Sequence, residues 1–362
     1  MTRRADKRKT RGALSNPDSR FATHTSATFD DGWGTLEADD DPPPATHVHN
    51  DPARRVISRN SSPDVGFDYS INPYKGCSHG CVYCFARPTH EYLDHSAGLD
   101  FETEIYAKHD AAARLEAELR APGYICRPIT LGANTDPYQP DEHALEITRD
   151  LLDVADRFNQ PVSIVTKSGL VLRDLDYLTS LANRGLVNVF ISLTSLDREL
   201  KRSLEPRAAA PARRLTTIQT LANAGVPVGV LVAPVIPALT DAELETLIAR
   251  AAEAGAECAG YVMLRLPHGV KHLFREWLAT AYPNRVDHVM SLVNQLHGGR
   301  DYDPSWGTRM TGTGEFARLF ETRFELACRR HKLSHRTAFD LDCHHFSPPP
   351  TAGDQYTFDF DG

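Results

Sequence analysis

From about residue 66 the chain alternates between two hydrophobic periods. Short runs rich in β-branched residues read as strands: Pro128–Ala133, Val162–Thr166, Val187–Leu193, Val226–Val232 and Gly260–Leu264, with a first strand near Tyr69–Asn72. Between them, apolar residues recur at helical spacing over Asp141–Phe158, Asp174–Arg184, Arg213–Ala224 and Asp241–Glu253. Gly185, Gly225 and Gly255 stand where such helices stop, because glycine closes a helix C-terminus in left-handed backbone without steric cost. Strand–helix–strand alternation predicts an α/β fold with a parallel sheet and helices packed outside it. Five or six such units suit a partial (β/α)6 TIM-like barrel rather than a closed one of eight. In parallel barrels the loops at the strand C-terminal ends build the active site.

The flanks break this pattern. Residues 1–60 join a basic start to the acidic run Glu37–Asp41 and the triple proline Pro42–Pro44. A segment with so little apolar surface cannot offset its ordering entropy, so it is expected to be a disordered N-terminal arm. The rival reading is an arm that docks on the domain through Phe29, Trp33 and Leu36. The core is expected over 61–300. The alternation then stops, and 301–362 reads as a short helical C-terminal extension (Gly314–Arg330) with a Pro/Gly-containing tail.

Composition narrows the class. A hydrophobic content of 41% and a charged content of 24% suit a globular domain, and the formal net charge of −8 argues against a strongly basic nucleic-acid binder. No apolar run approaches the roughly 20 residues that cross a bilayer. No apolar stretch follows the basic start, so a secretory signal is not expected. A cytoplasmic protein without a membrane partner follows, in which thiols stay reduced. The seven cysteines then read as ligands, catalytic groups or buried apolar residues.

Three of them carry the chemistry. Cys77, Cys81 and Cys84 form C-x3-C-x2-C on the loop after the first strand, in the run Asn72-Pro73-Tyr74-Lys75-Gly76-Cys77-Ser78-His79-Gly80-Cys81-Val82-Tyr83-Cys84-Phe85-Ala86-Arg87. An electron-transfer [4Fe-4S] site takes four protein thiolates; three leave one iron with open coordination, which a catalytic metal site needs. The alternative is a zinc site completed by His79 or a distant cysteine such as Cys126.

This segment resembles the signature of the radical S-adenosylmethionine (SAM) superfamily. With Asn134–Pro140, Val165–Ser168, Ser192–Thr194 and Ala233–Pro237 at successive strand ends, it is similar to the spore photoproduct lyase-related branch, often described as DNA repair photolyase-like. The resemblance covers roughly residues 55–330. It implies a radical SAM barrel and a [4Fe-4S] cluster on Cys77, Cys81 and Cys84. It also implies S-adenosyl-L-methionine as cofactor and an external one-electron reductant such as flavodoxin or ferredoxin. By the same resemblance Tyr83 lies near the adenine and shields the cluster. Asn134 and Thr135 take the SAM amino end, Lys167 and Ser168 its carboxylate, and Ser192 and Thr194 its ribose or methionine part. An ammonium such as that of Lys167 stabilises a carboxylate in a partly desolvated site. Asp136 and Tyr138 fall on the substrate side, and Cys126 invites comparison with a hydrogen-atom donor. Each has a plainer reading. Ser and Thr at strand ends cap helices and make turns, Tyr138 beside Pro137 packs its loop, and Cys126 is a small buried apolar residue.

The remaining motifs are weaker. Cys258 and Cys328 read as core. Cys343-His344-His345 has no matched second pair for a metal site. Gly298–Arg309 either closes over the barrel mouth or is a surface connector with a packed Trp306. Three functions follow: a radical SAM enzyme acting on an unidentified substrate; a nucleic-acid repair or modification lyase; or a non-enzymatic Fe–S or zinc protein.

Overall fold

The computed structural model describes residues 11–22, 44–334 and 340–351. Its strands are β1 (His47–Asn50), β2 (Ser58–Arg59), β3 (Tyr69–Ile71), β4 (Tyr74–Lys75) and β5 (Glu104–Ala107), then β6 (Ile129–Leu131), β7 (Val162–Thr166), β8 (Val187–Ser192), β9 (Val228–Val235) and β10 (Cys258–Met263). Six of them, β3 and β6 through β10, lie side by side in chain order and pair in parallel, with β2 antiparallel on the outer edge of β3. Helices on the outer face bury the other side of the sheet, so all six residues of β8 are buried. This is the partial α/β barrel that the alternation predicts.

The predicted helices are present with local differences. The stretch 141–158 divides into Glu142–Leu145 and Ile147–Phe158, with Glu146 in left-handed backbone at φ 53°. The cause is Glu142, whose carboxylate accepts from Thr148 N at 3.0 and 3.1 Å and thereby starts the second helix separately. The helix expected from Asp241 begins at Leu244, after one tight turn over Asp241–Glu243. Gly185, Gly225 and Gly255 all take positive φ.

Two further features position the site. A second sheet, in the order β1–β5–β4, lies beside the chain that enters the cysteine loop. Helices Val270–Ala281 and Val286–Leu296 supply Phe274, Trp277, Val289 and Val293 to a core that also contains Cys81, Val82 and Tyr83.

Within the leading segment, residues 11–13 follow the rival reading of an arm docked on the domain. Residues 11–22 and 44–60 are described, and Arg11, Gly12 and Ala13 are buried. They dock through backbone polarity rather than apolar area. The Glu102 carboxylate accepts from Gly12 N at 2.9 Å and Ala13 N at 2.8 Å, and Arg11 Nη1 donates to Glu102 O at 2.8 Å. A hydrophobicity-based reading does not register such contacts. Phe29, Trp33 and Leu36 lie outside the described residues.

Candidate active site

The cysteine loop is held from several sides. Gly76 and Gly80 take φ of 78° and 70°, which lets the chain turn tightly around Cys77. Cys77 N donates to Phe101 O at 2.9 Å, Ser78 N to Gln139 Oε1 at 2.7 Å, and Val82 N to Leu204 O at 3.1 Å. Arg87, fully buried, donates from Nε to Cys81 O at 2.9 Å and pairs with Glu102 at 2.5 Å. The loop is thus tied to the barrel and to the docked arm.

All three thiols line one cavity of about 560 Å³ at the C-terminal ends of the parallel strands. Burial raises the pKa of each: Cys77 well above the ordinary thiol value, Cys81 to about 12 with Glu205 adding to the effect, and Cys84 upward although Arg87 opposes it. Two buried thiols and one half-buried thiol that resist ionising need cationic charge among them to become thiolates, which an iron–sulfur core would provide. Among the described residues no three His, Cys, Asp or Glu side chains converge as a single-ion site. The three thiols do share one cavity, as the protein ligands of an iron–sulfur cluster would have to.

Two carboxylates, the half-buried Asp136 and the buried Glu205, organise the walls. Asp136 accepts from Thr166 Oγ1 at 2.6 Å and Lys167 N at 2.7 Å, and lies 3.3 Å from His79 Nδ1. Burial alone would raise its pKa, but the His79 charge and these hydrogen bonds prevail and hold it down at about 2. Glu205 pairs with Arg214, accepts from the Tyr83 hydroxyl and stands 2.8 Å from Thr194 Oγ1. Its burial is likewise outweighed, first by Arg214 and then by Lys167, which bring it to about 2. The Lys167 ammonium lies 5.9 Å from the Tyr83 ring centroid.

Of the residues named from sequence, Tyr83, Asn134, Thr135, Asp136, Lys167 and Ser192 line the cavity with the cysteines. Thr135 also donates from Oγ1 to Tyr74 O at 2.8 Å. Three others are used differently. Ser168 caps the turn that follows it, its Oγ accepting from Leu170 N at 3.1 Å. Thr194 stands behind the wall against Glu205. Tyr138, offered for the substrate side, is fully buried and donates to Asp174 Oδ2 at 3.0 Å, because the turn at Asp136 directs it into the core. Cys126 precedes β6, at the end of the strands opposite the cavity. It lies 3.7 Å from Gln160 Oε1 and near Cys343, so the geometry does not bring it to the site as a hydrogen-atom donor.

Other residues of the site were not singled out in this role. His79, read from sequence only as a possible zinc ligand, stands between two of the cysteines and pairs instead with Asp136. Glu205 and Arg265 sit in no motif. Cys258 and Cys328 are buried, as expected for core residues. In the stretch 298–309 Trp306 is 63% exposed rather than packed, while Arg309 reaches the cavity.

Comparison with known proteins agrees with this geometry. The family model of the radical SAM superfamily matches residues 71–251. Uncharacterized proteins of Mycobacterium tuberculosis and Mycobacterium bovis are 40% identical over 231 residues, covering 63% of this chain and 68% of theirs. An uncharacterized protein of Methanocaldococcus jannaschii is 27% identical over 191 residues, covering 53% of this chain and 68% of its own. Among solved structures, a spore photoproduct lyase mutant with bound AdoMet and dinucleoside spore photoproduct shares the fold. Its TM-score is 0.56 at 19% identity, over 78% of each chain. Among the described residues no helix is long and apolar enough to cross a membrane.

Proposed function

Because this chain belongs to the radical SAM superfamily, we propose that it binds a [4Fe-4S] cluster through Cys77, Cys81 and Cys84 and uses S-adenosyl-L-methionine to take hydrogen from an organic substrate. Cys77, Cys81 and Cys84 would hold the cluster, which when bound would supply the electron for reductive cleavage of SAM. The observation that carries this reading is three thiols lining one cavity at the C-terminal ends of six parallel strands.

The chain's own residues have distinct tasks. Lys167 presents an ammonium to the cavity, suited to the SAM carboxylate. Ser192 and the Asn134–Thr135 turn offer polar contacts beside it. Tyr83 covers the cysteines from one side, its hydroxyl fixed by Glu205. Asp136, tied to His79, Thr166 and Lys167 N, fixes the strand end that carries Lys167. Its hydrogen bonds are already satisfied within the wall, so it fits a positioning task better than a substrate contact. The electron would come from an external reductant of the flavodoxin or ferredoxin kind.

A narrower reading is action on nucleic acid, as a lyase. It is supported by the fold shared with spore photoproduct lyase and by Arg59, Lys167, Arg265 and Arg309 in the cavity lining. A gel-shift assay with DNA and RNA across a salt series tests it, and absence of salt-dependent binding rejects it. The main proposal is tested by anaerobic reconstitution with iron and sulfide, then assay of 5′-deoxyadenosine and methionine after adding dithionite and SAM. Both products are expected from the wild type and neither from Cys81→Ala. A zinc-loaded, iron-free protein would reject the assignment.

A further inference from the structure

The lining of the cavity is at odds with the charge of the whole chain. The protein carries a formal net charge of −8. Yet Arg59, Lys167, Arg265 and Arg309 line the cavity, against the single carboxylate of Asp136. Field lines from clustered charge concentrate in a cleft with low-dielectric walls, so an anion is drawn into it whatever the net charge outside.

These cations are not equivalent. Arg309 is paired with Asp64 and bonded to Ser62, and so is largely neutralised. Lys167 stands close to the cysteine wall, beside Tyr83. Arg265 lies two residues past the end of β10, and Lys167 directly past the end of β7, three strands away. Its guanidinium lies 4.8 Å from the centre of the Phe85 ring and 6.0 Å from that of Tyr302. Its neighbours are weak or neutral: the Met310 sulfur at 3.3 Å from Nη1 and the Tyr302 hydroxyl at 3.3 Å from Nη2. Its Nε is buried with no hydrogen-bond partner, and no carboxylate pairs with it among the described residues. The buried Arg87 and Arg214, by contrast, each have a glutamate. A part-buried guanidinium near Phe85 and Tyr302, without a counter-ion among the described residues, is poised to take one from a ligand.

We propose that Arg265 is a specificity-determining residue that receives an anionic group of the substrate, a phosphate or a carboxylate. This rests on the reading above, in which Lys167 serves SAM and leaves the β10 side of the cavity to the substrate. The contacts of Nη1 to Met310 and of Nη2 to Tyr302 are long and uncharged, so an anion can replace them in the fork geometry that favours bidentate contact.

The test is isothermal titration of the reconstituted, SAM-loaded protein under anaerobic conditions with two matched pairs of probes. Thymidylyl-thymidine, with its phosphodiester, is set against thymidine; benzoate is set against benzyl alcohol. At least one anion should bind tenfold or more tightly than its neutral partner, and which one does so separates phosphate from carboxylate. Arg265→Gln should remove that preference and leave the neutral probes unchanged, while Arg265→Lys, which keeps charge without the fork, should retain part of it. If neither anion is preferred by the wild type, or Arg265→Gln keeps the preference, the proposal is overturned. A SAM titration on the same protein before loading separates the two claims: failure of the wild type to bind SAM rejects the proposed function, whereas SAM binding without an anion preference overturns the Arg265 proposal alone.

Discussion

Glu205 holds Arg214, the Tyr83 hydroxyl and Thr194 with one carboxylate, at a position almost closed to solvent. Removing one member of such a buried pair leaves the other charge uncompensated, which costs about 3–5 kcal/mol. Glu205→Leu should therefore lower stability by about that amount in urea unfolding, and Glu205→Leu with Arg214→Met should recover much of it. His90 gives a pH prediction. Burial first, and His95 to a lesser degree, lower its pKa to about 4 against the Glu104 contacts that favour the charged form. Its Nε2 faces Glu104 O at 2.8 Å, while the buried Nδ1 has no partner for a second proton. The folded state thus binds fewer protons here than the unfolded state. The associated stability is full above the ordinary histidine pKa and is lost as pH falls from about 6.5 towards 4. A urea-unfolding series across that window should show the decline, and His90→Gln should flatten it.

At the scale of elements, the docked arm and the cysteine loop form one unit. Glu102 joins Gly12 and Ala13 on one side to Arg87 on the other, and Arg87 holds the Cys81 carbonyl. A side chain at Gly12 has no room, since its Cβ would come within 1.7 Å of Gly80 O. Gly12→Val should release the arm and loosen the loop. The expected outcome is several-fold faster iron release from the reconstituted protein to a chelator, with new protease cleavage near residue 12. Iron release at the wild-type rate would show that the loop holds without the arm. The strand and helix elements themselves were readable from periodicity, because burial on both faces of a parallel strand leaves a continuous apolar run. The arm was not, because it docks by hydrogen bonds to a carboxylate 90 residues away.

For the whole molecule, the barrel separates two ends with different duties. The cavity opens at the C-terminal ends of the strands, while Cys126 and the segment 340–351 pack at the other end. There Ser347 N donates to Phe158 O at 3.0 Å and Tyr124 lies against Phe346. Cys126→Ser should accordingly leave 5′-deoxyadenosine formation within about twofold of wild type, whereas Cys81→Ala should abolish it. A comparable loss in Cys126→Ser would mean that the two ends are coupled.

The order of strands and helices, the three-cysteine motif and most of the strand-end residues were determined by the sequence alone. Each is written locally, in a hydrophobic period or in residue types a few positions apart. Only the tertiary structure decided which strand-end residues face the cavity. It turned Tyr138 into the core, set Cys126 at the far end, and brought Glu205 to Tyr83 across 122 positions. It also placed Arg265 near Phe85 and Tyr302 without a carboxylate partner among the described residues. The physical reason is that charge pairing and burial depend on distances in space, and neighbours at such sequence separations leave no local pattern to read.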